Sequence, residues 1–106
     1  MPKYLVQASY TAEGAKGLMK DGGSARRDAA KKLIRSLGGK VESTHFAFGS
    51  SDVYIIADMP DNVSAAAASL AVNASGAVTT KIVVLLTPEE MDKACKKSPA
   101  YRAPGS

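Results

Sequence analysis

Four stretches of this chain read as β-strands that are apolar on both faces, and the chain supplies too few helices to cover both. They are Lys3–Tyr10, Lys40–Phe48, Asp52–Met59 and Val78–Leu86. Successive side chains of a strand point to opposite faces. In Asp52–Met59, Val53, Ile55, Ala57 and Met59 fall on one face and Tyr54 and Ile56 on the other. In Val78–Leu86, Ile82, Val84 and Leu86 oppose Val83 and Leu85. Two amphipathic helices can roof one face, and a second copy of the same sheet is the simplest cover for the other. The chain has 106 residues, which predicts one domain. A domain of this size buries only about 60–70% of its unfolded surface, so self-association would add burial.

The segments between the strands set the topology. Thr11 can cap a short helix from Ala12 to about Met19, weakened by Gly14 and Gly17 and ended by Gly22-Gly23. Ser24 is expected to cap a stronger helix in which Ala30, Leu33, Ile34 and Leu37 form a core-facing stripe. Gly38-Gly39 stops it. Gly49-Ser50-Ser51 joins the second and third strands as a hairpin. Pro60 ends the third strand, and Asp61 or Asn62 can cap a helix carrying Val63, Ala66, Ala67, Leu70 and Ala74 on one stripe. Its alanines let it approach the sheet closely at the cost of a thin core. Thr87-Pro88-Glu89-Glu90 opens a terminal helix with a capping box. The order is strand, helix, strand, strand, helix, strand, terminal helix. This predicts an α+β fold of ferredoxin-like type, β-α-β-β-α-β, with an antiparallel sheet and helices on one face. Residues 1–97 form the expected domain, and 98–106 a proline-containing tail.

Composition narrows the function classes. No apolar run approaches the roughly 20 residues that span a bilayer, so no membrane partner is expected. The opening residues lack the basic region and apolar core of a signal peptide. One cysteine, Cys95, cannot form an internal disulfide, and the expected location is cytoplasmic. A single His and a single Cys give no metal spacing, and no cofactor is implied. Phe46 and Phe48 alternate on a strand, but the chain has only 2 Phe and 4 Tyr and lacks the RNA-recognition consensus; no nucleic-acid partner is expected. The net charge of +4 is concentrated in one helix, where Arg26, Arg27, Lys31, Lys32 and Arg35 accompany Asp28. Such a helix can attract an anion; it also reads as a solvated outer face with Asp28–Lys31 and Asp28–Lys32 pairs.

A set of motifs resembles a known family. These are Lys3-Tyr4-Leu5-Val6-Gln7-Ala8-Ser9-Tyr10-Thr11, Gly22-Gly23-Ser24-Ala25-Arg26-Arg27, Gly38-Gly39-Lys40, Phe46-Ala47-Phe48-Gly49 and Asp52-Val53-Tyr54. With Asp58-Met59-Pro60-Asp61-Asn62 and Leu86-Thr87-Pro88-Glu89, they span nearly the whole chain and resemble the GYD-domain proteins. The family's Gly-x-Tyr-Asp signature stands here as Gly49-Ser50-Ser51-Asp52, with Ser51 in place of the tyrosine. The resemblance implies a build similar to dimeric α/β-barrel proteins, hence a homodimer or a larger even-numbered oligomer.

Two places can carry chemistry. Asp52 and Tyr54 share a strand parity, and His45, on the preceding strand, either faces them or lies opposite. A carboxylate beside an imidazole can act as orienter and general base; Asp52 can equally cap the hairpin loop through the backbone. In Lys20-Asp21-Gly22-Gly23-Ser24-Ala25-Arg26-Arg27, free N–H groups at a helix start, helped by Lys20, Ser24 and Arg26, can hold an anion. The same residues also read as a helix stop followed by a cap. Cys95 lies among Lys93, Lys96 and Lys97, or is paired with Met91 on the apolar side of the terminal helix. The function expected is a small-molecule-binding barrel protein with its ligand between sheet and helices, near Tyr10, His45, Asp52 and Tyr54. It would bind only, or, by analogy with fold relatives, carry out cofactor-free proton transfer or oxygenation with His45 or Asp52 as base. The alternative is a non-catalytic regulatory or interaction module that binds an anion or a partner protein through Gly22–Arg27 and the basic helix.

Overall fold

A computed structural model describes residues 1–106. In chain order the elements are β1 (Lys3–Tyr10), α1 (Ala12–Asp21), α2 (Gly23–Ser36), β2 (Lys40–Phe46), β3 (Val53–Asp58), α3 (Asn62–Ala74), β4 (Val78–Leu85) and α4 (Pro88–Cys95). The strands form one antiparallel sheet in the order β2-β3-β1-β4. The predicted α+β, ferredoxin-like order is the one observed. β2 and β3 are shorter than expected, and residues 47–52 form the connection, closed by the Ala47 N–H donating to the Asp52 carbonyl at 2.8 Å.

Register assigns the faces. Tyr4, Val6 and Ala8 of β1 stand opposite Ala57, Ile55 and Val53 of β3, and opposite Val84, Ile82 and Thr80 of β4. This face carries the core: Tyr4, Ala8, Val53, Ile55, Ala57, Met59 and Val78 are buried, together with Ile34 of α2 and Ala65 and Ala68 of α3. Leu5, Gln7, Tyr54, Ile56, Lys81 and Val83 occupy the alternate positions and lie on the face without helices. Only 12 of 106 residues are buried, so one side of the sheet supplies almost all of the core.

β2 carries a register shift between Val41 and Ser43. Val41 pairs with Ala57 and Thr44 with Ile55, so Glu42 is the extra residue of a bulge. Beyond it the parity reverses: Thr44 and Phe46 join Val41 on the helix side, and His45 faces the bare side opposite Tyr54. The bulged Glu42 reaches Lys3 Nζ at 2.7 Å, and Lys3 also contacts Asp58 at 3.0 Å. These carboxylates, Glu42 first, raise the Lys3 pKa above its ordinary 10.5.

The helices begin largely where the sequence places them. Thr11 caps α1, accepting from the Gly14 N–H at 3.2 Å. Its hydroxyl donates to the Gly76 carbonyl at 3.0 Å, and its N–H donates to the Ala77 carbonyl at 3.0 Å, which ties the start of α1 to the start of β4. Ser24 is not the cap of α2: Gly22 holds that position, with no side-chain bond. Its φ of +85° favours a glycine there. Asp61 caps α3 and Thr87 caps α4 with the expected box. α4 buries no residue, and Cys95 and Met91 are both exposed. The body is 56 × 33 × 22 Å with a radius of gyration of 16.8 Å, against about 13 Å for a compact chain of this length, because α4 and the tail project.

Gly14 and Gly17 look alike in the sequence and differ in space. A Cβ on Gly14 would lie 1.9 Å from the Ala77 carbonyl oxygen, whereas one on Gly17 would meet nothing within 4 Å. Gly14→Ala is therefore expected to destabilise by about 1–3 kcal/mol through forced displacement of α1. Gly17→Ala is expected to stabilise by about 0.5–1 kcal/mol. Thermal unfolding of the two variants checks this, and equal shifts would refute the close approach. A second expectation concerns acid. Asp61 Oδ1 accepts from the Ser64 N–H at 2.8 Å, and this bond holds its carboxyl below the ordinary 3.8. A lowered carboxylate pKa contributes stability above the unfolded value that is lost as pH falls through the folded value. The Tm advantage of wild type over Asp61→Asn should hold at neutral pH and shrink progressively below about pH 4.

Candidate functional site

α2 lies over β2 and α3 over β4, and between them the central strands β1 and β3 form the floor of a cleft of about 140 Å³. Val6, Ala8, Val53 and Ile55 line the floor, Ala30, Leu33 and Ile34 one wall, and Ala65, Ala68, Ser69 and Val72 the other. Part of the space exists because Ala30 on one wall and Ala65 and Ala68 on the other are short where they point inward. The stripe expected on α3 is not the one that faces the sheet. Val63 and Leu70 are 78% and 70% exposed, and Ala66, Ala67 and Ala74 are exposed as well. Ala65, Ala68, Ser69 and Val72 turn inward instead, because a helix so rich in alanine carries little to distinguish one face from another.

One end of the cleft is built by Phe46, Tyr10, Arg26 and Arg27. The Phe46 ring lies against the start of α2, where a Cβ on Gly23 would sit 3.1 Å from Phe46 Cε2. One turn further, Arg26 precedes Ala30, Leu33, Ile34 and Leu37 by 4, 7, 8 and 11 positions. These are the spacings of a single helical stripe, so Arg26 occupies a core-facing position and is half-buried. The ion pairs join Lys3 to Glu42 and Asp58, and Arg27 to Asp28 at 3.2 Å; Arg26 takes part in none. The expected Asp28 pairs with Lys31 and Lys32 do not form, because Asp28 faces Arg27.

The polar groups of the cleft divide in the same way. Ser69 Oγ and Thr80 Oγ1 are 2.8 Å apart, and Thr80 Oγ1 donates to Asn73 Oδ1 at 3.2 Å. The Tyr4 hydroxyl donates to Asn62 Oδ1 at 2.5 Å. These groups satisfy one another. Thr44 Oγ1 is buried and has no hydrogen-bond partner, although it lines the cleft. A buried hydroxyl left unpaired costs about 1–3 kcal/mol.

The sequence-predicted residues do not gather in one place. Tyr10 and Arg26 line the cleft. Tyr54 and His45 pair with each other on the bare face, on the far side of the sheet. Asp52 Oδ2 accepts from the Tyr10 N–H at 2.9 Å, so its side chain serves the end of β1 rather than the hairpin loop, and Asp52 makes no hydrogen bond or ion pair to His45. A single ligand between sheet and helices therefore does not meet all four. Lys20 and Ser24 are exposed and stand apart from the cleft. Ser51, in the signature position, is buried on the parity of Val53 and Ile55. Thr44 and Phe46 were missed as cleft residues, since the bulge at Glu42 hides their side of the strand. Arg26 carried a readable signal, a charge on an otherwise apolar stripe.

The GYD domain model matches residues 4–95. The chain belongs to the GYD-domain family. Among curated proteins the chain has no match. The family match spans every strand from Tyr4 onward and all four helices, so sheet, cleft and α4 are parts of one GYD domain. No helix is long and apolar enough to cross a membrane.

Proposed function

We propose that this GYD-domain protein binds a small molecule in the cleft between α2 and α3, as a dimer of α/β-barrel type. The observation that carries the reading is the cleft itself. Its space of about 140 Å³ is open at one side, so apolar walls there stand against water unless something covers them. A larger side chain at Ala30, Ala65 or Ala68 would fill it, and an occupant is the other way to cover these walls. The reading is one of binding rather than of proton transfer or oxygenation, since Asp52 is committed to the Tyr10 amide and His45 lies across the sheet from the cleft.

The dimer rests on the bare face. Leu5, Ile56, Val83 and Leu85 share it, with Lys3, Asp58 and Lys81 at its margins, so each copy offers both charges to the other about a two-fold axis. Four strands spaced about 4.8 Å and about eight residues long give about 500 Å² of flat area. The projecting α4 and tail can add the remainder of the about 800 Å² per partner of an ordinary interface.

Toluene, a neutral apolar probe, is expected to shift the methyl resonances of Val6, Ile55 and Val72, and Ala30→Phe is expected to abolish those shifts while leaving the thermal transition cooperative. Unmoved resonances in the wild type would end the cleft reading. Native mass spectrometry of untagged protein is expected to show an even-numbered oligomer, with Ile56→Lys shifted to monomer. A wild-type monomer would end the dimer reading and leave the cleft reading standing.

A further inference from the structure

Resting on the cleft as a binding site, we infer that its ligand is a small monocarboxylate with an apolar body the size of one ring, its carboxylate held by Arg26. Three observations converge on this class. Of the 23 residues that line the cleft, 18 are apolar, so most of the ligand must be hydrocarbon. The volume of about 140 Å³ is close to that of the engineered cavity of about 150 Å³ that takes up benzene, which sets the body at a single ring or a branched chain of similar bulk. Arg26 then supplies the polar end. It lies on the inward stripe of α2 one turn before Ala30, half-buried and outside every ion pair of the chain.

Arg26 is half-buried as a residue and has no counter-charge, and a carboxylate matches the N–H fork of a guanidinium two for two. Arg26, Ala30 and Leu33 line the same cleft, so a ligand held by Arg26 has apolar wall within reach of its body. The unpaired Thr44 hydroxyl lies buried behind the same lining and would have to rotate outward to serve as a second, neutral contact. The same set of side chains fixes the charge of the ligand. Arg27 is engaged with Asp28, and Ser69, Thr80 and Tyr4 are satisfied within the protein. Arg26 is the one lining cation outside every ion pair, and a single unpaired cation suits one negative charge.

Phenylacetate and phenylacetamide, which share a body and differ in charge, test the assignment by calorimetry and by NMR titration, with toluene as the control for the cleft. Phenylacetate is expected to bind about tenfold or more tightly than phenylacetamide, as one charge-assisted pair allows. Arg26→Gln should erase that preference while leaving toluene binding unchanged. Arg35→Gln, on the exposed face of the same helix, should preserve it. Thr44→Val should weaken phenylacetate binding by less than Arg26→Gln does. Equal binding of acid and amide, binding of toluene alone, or a preference for the acid that survives Arg26→Gln overturns the ligand class and leaves the cleft reading intact. Failure of all three probes overturns both.

Discussion

The pairing of β1 with both of its neighbours is the constraint on which the rest of the molecule depends. β1 matches β4 from Lys3 to Tyr10 and β3 from Lys3 to Ala8, so a slip of one residue would exchange Tyr4 and Ala8 for Leu5 and Gln7 on the core side. Both ends are fixed by charge. At the start, Lys3 is held between Glu42 and Asp58; at the end, the Tyr10 amide is held by Asp52. Each contact joins β1 to a residue of, or adjoining, the β2-β3 hairpin. The hairpin is thereby locked against the central strand, and the floor of the cleft inherits that rigidity.

Much of this was legible in the chain. Hydrophobic alternation, with the helix signals between strands, is enough to give the strand order. Thr11, Asp61 and the Thr87–Glu90 box work as caps because short polar side chains before an apolar run have few other uses. The sidedness of β2 was not legible. One extra residue, Glu42, reverses the parity of Thr44, His45 and Phe46, and nothing in Lys40–Phe46 announces it. Thr44 and Phe46 were therefore missed, and His45 could not be assigned a face. Ser24 was misread as a cap because a glycine before a serine resembles a helix stop; Gly22, with positive φ, takes the cap itself. On α3 the stripe of Val63, Ala66, Ala67, Leu70 and Ala74 was read as the inner face, but Ala65 and Ala68 are the buried residues, since a run of alanines gives the periodicity little contrast.

The two faces of the sheet solve different problems with the same alternation. On the helix side, strands and helices both mix large and small residues, and the centre stays open where Ala30, Ala65 and Ala68 come together. On the bare side, apolar residues of β1, β3 and β4 lie in a band with charges at its margins. A ligand and a second copy would thus occupy opposite surfaces, in contact with alternate residues of the same strands. If both are occupied as proposed, only the thickness of the backbone would separate ligand from partner.

The exposed rim at β4 has a further consequence. A sheet edge displays unpaired backbone groups that can template another strand. At the β2 edge, the bulge and Lys40, Glu42 and His45 break that template. The β4 edge keeps a regular ladder, and Val83, Val84 and Leu86 are exposed at 42%, 54% and 55%, with Lys81 as the only charge along the strand. The two rims of this sheet are therefore unequal in colloidal terms. Asn73 Oδ1 accepts from the Thr80 N–H at 2.8 Å and blunts the start of the β4 rim, so of the two rims the stretch at Val83-Val84 is the one least guarded against strand addition.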